Sequence, residues 1–196
     1  MNAAAPDDPN QTGGKSNTTS TGDKASPPTG DDAPARTGVD TSIQTDENAA
    51  IQTGEWTSLG PEETFEAGRR VGERLKGGEI LLLGGALGAG KTVFTKGLAA
   101  GLGLDPAEVS SPSFTLVNCH AEGRLLLYHI DLYRLAEGAT SAHAVDLDEL
   151  LADERAVIVI EWAERMGRYP LPSPVWRVLI EGDGEEPRRI SIKRAV

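Results

Sequence analysis

Eight consecutive residues carry the clearest chemical signal in the sequence, and they read Gly85-Ala86-Leu87-Gly88-Ala89-Gly90-Lys91-Thr92. They fit the pattern G-x-x-x-x-G-K-[ST] of a phosphate-binding loop. Glycine lets backbone N–H groups turn towards an anion without a Cβ clash, and a following helix adds positive potential at its N-terminus. We therefore expect Lys91 to reach the β- and γ-phosphates of a nucleotide and the Thr92 hydroxyl to ligate Mg²⁺.

Two apolar segments end in acids, which are Asp131 after Leu125–Ile130 and Glu161 after Val157–Ile160. Ligands of open α/β sheets bind at the carboxyl ends of the strands, and carboxylate oxygens suit Mg²⁺. Two acids beside a phosphate loop favour a functional site over two polar strand ends at the surface. Spacing alone leaves open which acid ligates the metal and which orients the attacking water.

The remaining candidates for chemistry give weaker signals. His129 alternates with Asp131, so either face of the sheet is open to it, and we interpret it as a structural histidine whose side chain is satisfied. No pair of His or Cys has zinc-site spacing. The single cysteine, Cys119, lies in an alternating segment and is predicted to pack, and its isolation suits a reducing compartment. Arg165 and Arg168 either approach phosphates or lie on a solvated helix face.

The elements that must position the loop follow from hydrophobic patterning. Residues 79–83 form a short buried strand before the loop, and a helix follows Thr92. Another helix begins at Pro61 and ends at the Gly77-Gly78 pair, and a short helix covers residues 146–152. Hairpins are predicted from Phe114 to Ile130 and from Trp176 to Lys193. Together these features predict an α/β protein, a P-loop NTPase-type three-layer fold with a mixed, mainly parallel central sheet and added β-hairpins.

Composition divides the chain into a tail and a domain. The first 50 residues contain no Leu, Phe, Tyr or Trp, so we expect residues 1–53 to be a disordered, acidic, low-complexity tail and residues 54–196 to form one domain. The net charge is −11, of which eight acids and three bases in the first 50 residues contribute −5, leaving −6 for the rest. An acidic domain lacks the basic surface that DNA or RNA backbones require, and no apolar run is long enough to span a membrane.

Four motifs in order give a specific resemblance. They are the phosphate loop, Ser111-Pro112-Ser113-Phe114-Thr115-Leu116-Val117, His129-Ile130-Asp131-Leu132-Tyr133-Arg134-Leu135 and Ile160-Glu161-Trp162. With them the chain, from about Trp56 onwards, resembles the TsaE (YjeE) family, the small bacterial ATPases of tRNA threonylcarbamoyladenosine synthesis. The resemblance implies an accessory protein that hydrolyses ATP weakly, depends on the TsaD and TsaB proteins, and contacts tRNA mainly through them in the cytoplasm. The partners transfer the threonylcarbamoyl group to adenosine 37 of tRNAs that read codons beginning with A.

The resemblance also implies roles for particular residues. Leu87 to Thr92 would bind the phosphates, Thr92 and Glu161 would ligate Mg²⁺, and Asp131 would sit by the γ-phosphate as base or water-orienting group. Residues 111–117 resemble a switch-like loop, with Thr115 or Ser113 near the nucleotide. The family usually has Asp where this chain has Ala86, so this chain lacks an acid there but keeps the same backbone donors. The family also often has Thr where this chain has Ser113.

Two other functions compete with this interpretation. A small-molecule kinase on a P-loop scaffold usually has an Arg-rich lid, but residues 134–144 contain one arginine. A GTP-driven switch reads guanine through an Asn-Lys-x-Asp sequence, which is absent here. The sequence shows no obvious arginine finger, the arginine that stabilises the transition state of phosphoryl transfer. A partner protein can supply that arginine, so we expect the chain alone to hydrolyse ATP slowly.

Overall fold

The computed structural model describes residues 51–138, 140–172, 174–182 and 187–195. Residues 1–50 of the predicted tail therefore lie outside the described residues. The strands are Gly54–Ser58 (β1), Ile80–Gly84 (β2), Val117–His120 (β3), Leu127–Asp131 (β4), Val157–Glu161 (β5), Val175–Glu181 (β6) and Arg188–Ala195 (β7). The α-helices are Pro61–Arg74 (α1), Lys91–Gly101 (α2), Thr140–His143 (α3) and Leu147–Leu151 (α4), and a 3₁₀ helix spans Ala163–Met166.

The described strands form one mixed sheet in the order β1-β7-β6-β2-β5-β4-β3. Its centre, β6-β2-β5-β4, is parallel throughout, and β7 and β3 pair antiparallel with their neighbours. All five residues of β5 are buried, as expected for a strand covered on both faces. The fold class predicted from the sequence is confirmed, including the β3–β4 and β6–β7 antiparallel pairs.

Alternate residues of the central strands enter two separate cores. Leu81 and Leu83 pack with residues of α1 and α2, whereas Ile80 and Leu82 pack with residues of α3, α4 and the 3₁₀ helix. Helices therefore cover both faces of the sheet, which gives the three layers. The phosphate loop leaves β2 on the way to α2, so the loop belongs to the α1/α2 face.

Helices α1 and α2 approach each other through glycines. Gly68 and Gly72 of α1 face α2, and Gly97 and Gly101 of α2 face α1. A Cβ on Gly97 would lie 2.7 Å from the carbonyl carbon of Phe65, which is too close for any side chain. The backbone contact therefore fixes the position of α2, whose first residues are Lys91 and Thr92.

The β3–β4 hairpin is shorter than its sequence pattern predicts. β3 begins at Val117 instead of Phe114, because Leu116 has a left-handed φ of 64° and its N–H donates to the Pro112 carbonyl, closing a turn. β4 begins at Leu127, because Arg124 leaves the strand and its Nη1 donates to the Leu75 carbonyl at the end of α1, 2.7 Å away. The prediction that Cys119 packs is wrong, since β3 is an edge strand and Cys119 is exposed.

Three elements have no counterpart in the sequence prediction: β1, α3 and the 3₁₀ helix. β1 adds to the sheet by pairing antiparallel with β7, with Trp56 opposite Ile190. Its sequence, GEWTS, alternates too weakly to predict a strand, because β7 and not local propensity holds it. The other two are four residues each, too short for a helical period to be recognised.

Candidate functional site

The phosphate loop connects β2 to α2 through a backbone that only glycine adopts readily. Gly88 and Gly90 have φ of 82° and 109°, in the left-handed region that costs other residues free energy. Gly90 is the N-cap of α2, so the first free N–H groups of that helix open into the loop. This local geometry is the kind that suits an anion, and the presence of an anion site here stays a prediction of the motif.

The ammonium group of Lys91 is held against the loop. Its Nζ donates to the carbonyl oxygens of Gly85 at 2.8 Å and Ala86 at 2.9 Å, and lies 3.9 Å from the centroid of the Trp162 ring. Burial lowers the pKa of Lys91, while the nearby Glu161 carboxylate opposes that shift. The Ala86 contact uses the backbone carbonyl, so it does not depend on the side chain at that position.

Thr92 and Glu161 meet at the mouth of the loop. Thr92 Oγ1 lies 3.0 Å from Oε1 and 3.2 Å from Oε2 of Glu161, a residue 69 positions later. β5 lies next to β2 and places Leu83 opposite Glu161, so the end of β5 reaches the start of α2. A hydroxyl and a carboxylate at this separation are hard oxygen donors, which fit Mg²⁺ with the remaining positions left to phosphate and water.

Asp131 stands opposite Glu161 in the β4–β5 register and is 2% exposed. Its Oδ2 accepts hydrogen bonds from Ser111 Oγ at 2.5 Å and Ser113 Oγ at 2.6 Å, and its Oδ1 accepts from the Tyr133 N–H at 2.8 Å. Thr115, the other candidate of the switch-like loop, is exposed and donates to Asn118 Oδ1. The sequence analysis did not single out Ser111 as a contact of Asp131. The available signal was its position two residues before Ser113, which contacts the same oxygen.

His129 was interpreted as a structural histidine, and the structure places it beside Glu161. Its side chain is fully buried, and Nε2 lies 2.8 Å from Glu161 Oε1. The alternation of His129 with Asp131 was the available signal, because side chains two apart in a strand share a face.

Trp162 follows Glu161 with a left-handed φ of 59°. Strain of this kind in a non-glycine residue is concentrated at functional sites. The Trp162 ring lies 4.9 Å from the Tyr133 ring, so the two aromatics form a wall beside Lys91.

Most of the predicted site residues line one pocket of about 310 Å³. Its lining includes Leu87, Gly88, Gly90, Lys91, Thr92, Ser111, Ser113, Asp131, Tyr133, Glu161 and Trp162. Ala89 is fully buried and lies outside this lining. A larger groove of about 420 Å³ runs between β1 and α1, but it contains none of the predicted site residues, so we assign the site to the smaller pocket.

Three arginines lie near the site or its loop. The Arg134 guanidinium stacks 4.2 Å from the exposed Phe114 ring. Arg165 Nη1 donates to the Leu135 carbonyl at 2.6 Å, and its guanidinium lies 5.8 Å from the Trp162 ring, so this arginine is anchored rather than solvated. Arg188 of β7, which sequence reasoning missed, is buried behind Gly90 and 3.5 Å from Thr64 Oγ1. It carried no sequence signal.

The described ranges contain no group of three or more His, Cys, Asp or Glu side chains that could hold a metal ion by themselves. In the same ranges, no helix is long and apolar enough to cross a membrane.

Comparisons with known proteins show which family and which solved structure the chain is similar to. A family model described as "Threonylcarbamoyl adenosine biosynthesis protein TsaE" matches residues 59–190. The chain is 36% identical to the tRNA threonylcarbamoyladenosine biosynthesis protein TsaE of Bacillus subtilis, over 70% of this chain and 83% of that protein. It is 41% identical to the TsaE protein of Treponema pallidum, over 65% of this chain and 94% of that one. Its fold is similar to the crystal structure of Bacillus subtilis YdiB, with a TM-score of 0.58 and 34% identity over 74% of this chain and 86% of that chain.

Proposed function

The chain belongs to the TsaE family of tRNA threonylcarbamoyladenosine biosynthesis proteins, and from this premise we propose that it serves that pathway as a magnesium-dependent ATPase. The observation that carries the proposal is the meeting of Lys91, Thr92, Asp131 and Glu161 in one pocket at the carboxyl ends of β2, β4 and β5. The resemblance to the family favours ATP as the nucleotide that binds in this pocket.

The side chains divide the work of hydrolysis between them. The loop from Leu87 to Thr92 binds the phosphates, and Lys91 exchanges its carbonyl contacts for phosphate oxygens. Thr92 and Glu161 would hold Mg²⁺, which would supply positive charge to neutralise the phosphates. Asp131 accepts a hydrogen bond from the attacking water, orienting it towards the γ-phosphorus. Oδ2 of Asp131 already accepts from two serine hydroxyls, whereas Oδ1 accepts only from the Tyr133 N–H, so Oδ1 keeps a lone pair for that water.

Partner dependence is the second part of the proposal. Arg134 stacks on Phe114 and Arg165 donates to the Leu135 carbonyl, so other residues of this chain already engage both guanidinium groups, and we expect neither to serve the γ-phosphate beside Asp131. A protein partner that supplies or releases a positive charge there would raise the rate of hydrolysis. We propose that this partner is the TsaD and TsaB complex and that both proteins work with this chain in the cytoplasm. The acidic domain, with a net charge of −6 over residues 51–196, leaves most tRNA contacts to the partners.

The experiment is ATP hydrolysis by the pure protein, alone and with TsaB and TsaD, in wild type and Glu161→Ala. Glu164→Ala is the matched control, because Glu164 is a nearby exposed acid outside the pocket lining. We expect slow hydrolysis that the partners accelerate, lost in Glu161→Ala and kept in Glu164→Ala. Bound nucleotide without hydrolysis in either condition, together with phosphorylation of a metabolite, would favour the small-molecule kinase instead.

A further inference from the structure

His129 lies on the site face of the sheet although it lines no part of the pocket. In β4, Tyr128 and Ile130 belong to the α3/α4 core, so the alternate residues His129 and Asp131 point to the α1/α2 face. In the neighbouring parallel strand, Glu161 is on that same face, opposite Asp131. His129 therefore contacts Glu161 from the interior of the domain, on the side away from the pocket.

The contact has a defined donor. Glu161 Oε1 lies 2.8 Å from His129 Nε2, and an ionised carboxylate only accepts, so Nε2 carries the proton and donates. The other ring nitrogen, Nδ1, is buried and has no hydrogen-bond partner among the described residues. A proton on Nε2 therefore serves the contact with Glu161, while Nδ1 faces no acceptor among the described residues.

Glu161 is thus held at two points. His129 donates to Oε1 from the interior, and the Thr92 hydroxyl lies between the two carboxylate oxygens at the pocket. Only the His129 contact can persist unchanged once Thr92 and Glu161 turn to a common cation. This difference distinguishes His129, which would support the carboxylate, from Thr92 and Glu161, which would bind the cation.

We propose that His129 is a positioning residue that orients the Glu161 carboxylate towards Thr92 and so sets the affinity of the site for Mg²⁺. The inference rests on the proposed function, because it assumes that Thr92 and Glu161 hold the metal. His129 is not among the residues that line the pocket, so we expect it to act through Glu161 rather than on the nucleotide or the metal. Partners that hydrogen-bond to metal ligands typically change metal affinity or activity by 10- to 100-fold when removed, so an effect of about tenfold or more is expected.

The test uses a matched pair of variants. Counted along the side-chain bonds, the amide nitrogen of Gln corresponds to His Nε2 and that of Asn to His Nδ1. His129→Gln should therefore keep a donor to Glu161, and His129→Asn should lose it. Ile130→Val, a change at the neighbouring buried position on the opposite face, controls for loss of packing in β4.

The measurement is the binding of a fluorescent ADP analogue to the full chain across a Mg²⁺ titration, with melting temperature recorded without ligand. We expect His129→Asn to raise the half-saturating Mg²⁺ concentration about tenfold or more, with nucleotide affinity in EDTA unchanged. His129→Gln and Ile130→Val should stay within about threefold of wild type. If the Asn variant and wild type depend equally on Mg²⁺, the inference about His129 is wrong while the proposed function still stands. Equal defects in the Asn and Gln variants would have the same consequence. Wild-type binding that ignores Mg²⁺ would instead overturn the proposed metal site and this inference with it.

Discussion

The change Gly97→Ala tests whether close packing of α1 on α2 sets the position of the phosphate loop. Gly97 is in the middle of α2 and has no left-handed φ, so alanine suits its backbone and should stabilise the helix by about 1 kcal/mol. Its Cβ would however stand 2.7 Å from Phe65 C and 3.0 Å from Arg69 N, against an ordinary contact of 3.4 Å or more. Both atoms belong to the backbone of α1, so no side chain can turn away to make room.

The tertiary cost should exceed the local gain. Overpacking costs about 1–3 kcal/mol, and a clash with rigid backbone belongs at the upper end of that range. Subtracting about 1 kcal/mol of helix propensity leaves a net loss of about 2 kcal/mol. For a domain of this size, each kcal/mol lowers the melting temperature by about 2–4 °C, so we expect a fall of about 4–8 °C. Because α2 begins at Lys91, its displacement should also weaken nucleotide binding.

The assay is urea and thermal unfolding of Gly97→Ala beside Gly103→Ala. Gly103 has a φ of 83°, and a Cβ added to it would have no neighbouring atom within 4 Å, so this control carries backbone strain without a clash. It should lose about 1 kcal/mol and bind nucleotide normally. A Gly97→Ala variant as stable as wild type, or more stable, would refute the packing argument and show that α1 and α2 part at little cost.

Four further predictions concern the site and the tail. Asp131→Asn should slow ATP hydrolysis by about 10²- to 10⁴-fold while fluorescent ADP binds within a few-fold of wild type, and hydrolysis above a tenth of the wild-type rate would exclude Asp131 as the water-orienting group. Lys91→Ala and Thr92→Ala should each lose Mg-nucleotide binding by calorimetry; full activity in both would mean that the site is elsewhere. Burial lowers the pKa of Lys91 below its ordinary 10.5, so the unfolded chain binds more protons between the two values and stability from this group should rise with pH there. Urea unfolding at pH 8 and 10 should show that rise in wild type relative to Lys91→Met, and a parallel response of both proteins would contradict it. Removing residues 1–50 should leave melting temperature and hydrolysis unchanged, and a large loss of either would give the tail a structural role.

Local sequence determined much of this protein. The eight residues of the phosphate loop are contiguous, so their glycine spacing and their flanking strand and helix could be read without knowing the fold. The start of α1 at Pro61, with Glu62 and Glu63 in its first turn, likewise follows from local backbone chemistry and the helix dipole. The two acids at strand ends were found for the same reason, because each terminates its own apolar run.

Tertiary structure decided which of those groups meet. Thr92 contacts Glu161 rather than Asp131 because β5 lies next to β2, and that strand order is not encoded in the spacing of either segment. His129 reaches Glu161, and Ser111 and Ser113 reach Asp131, only once β4 has paired with β5 and residues 111–116 have turned back. Short-range propensity fixes the backbone of a few residues at a time, whereas contacts between residues 18 to 69 positions apart depend on the register of a sheet that the whole domain must form.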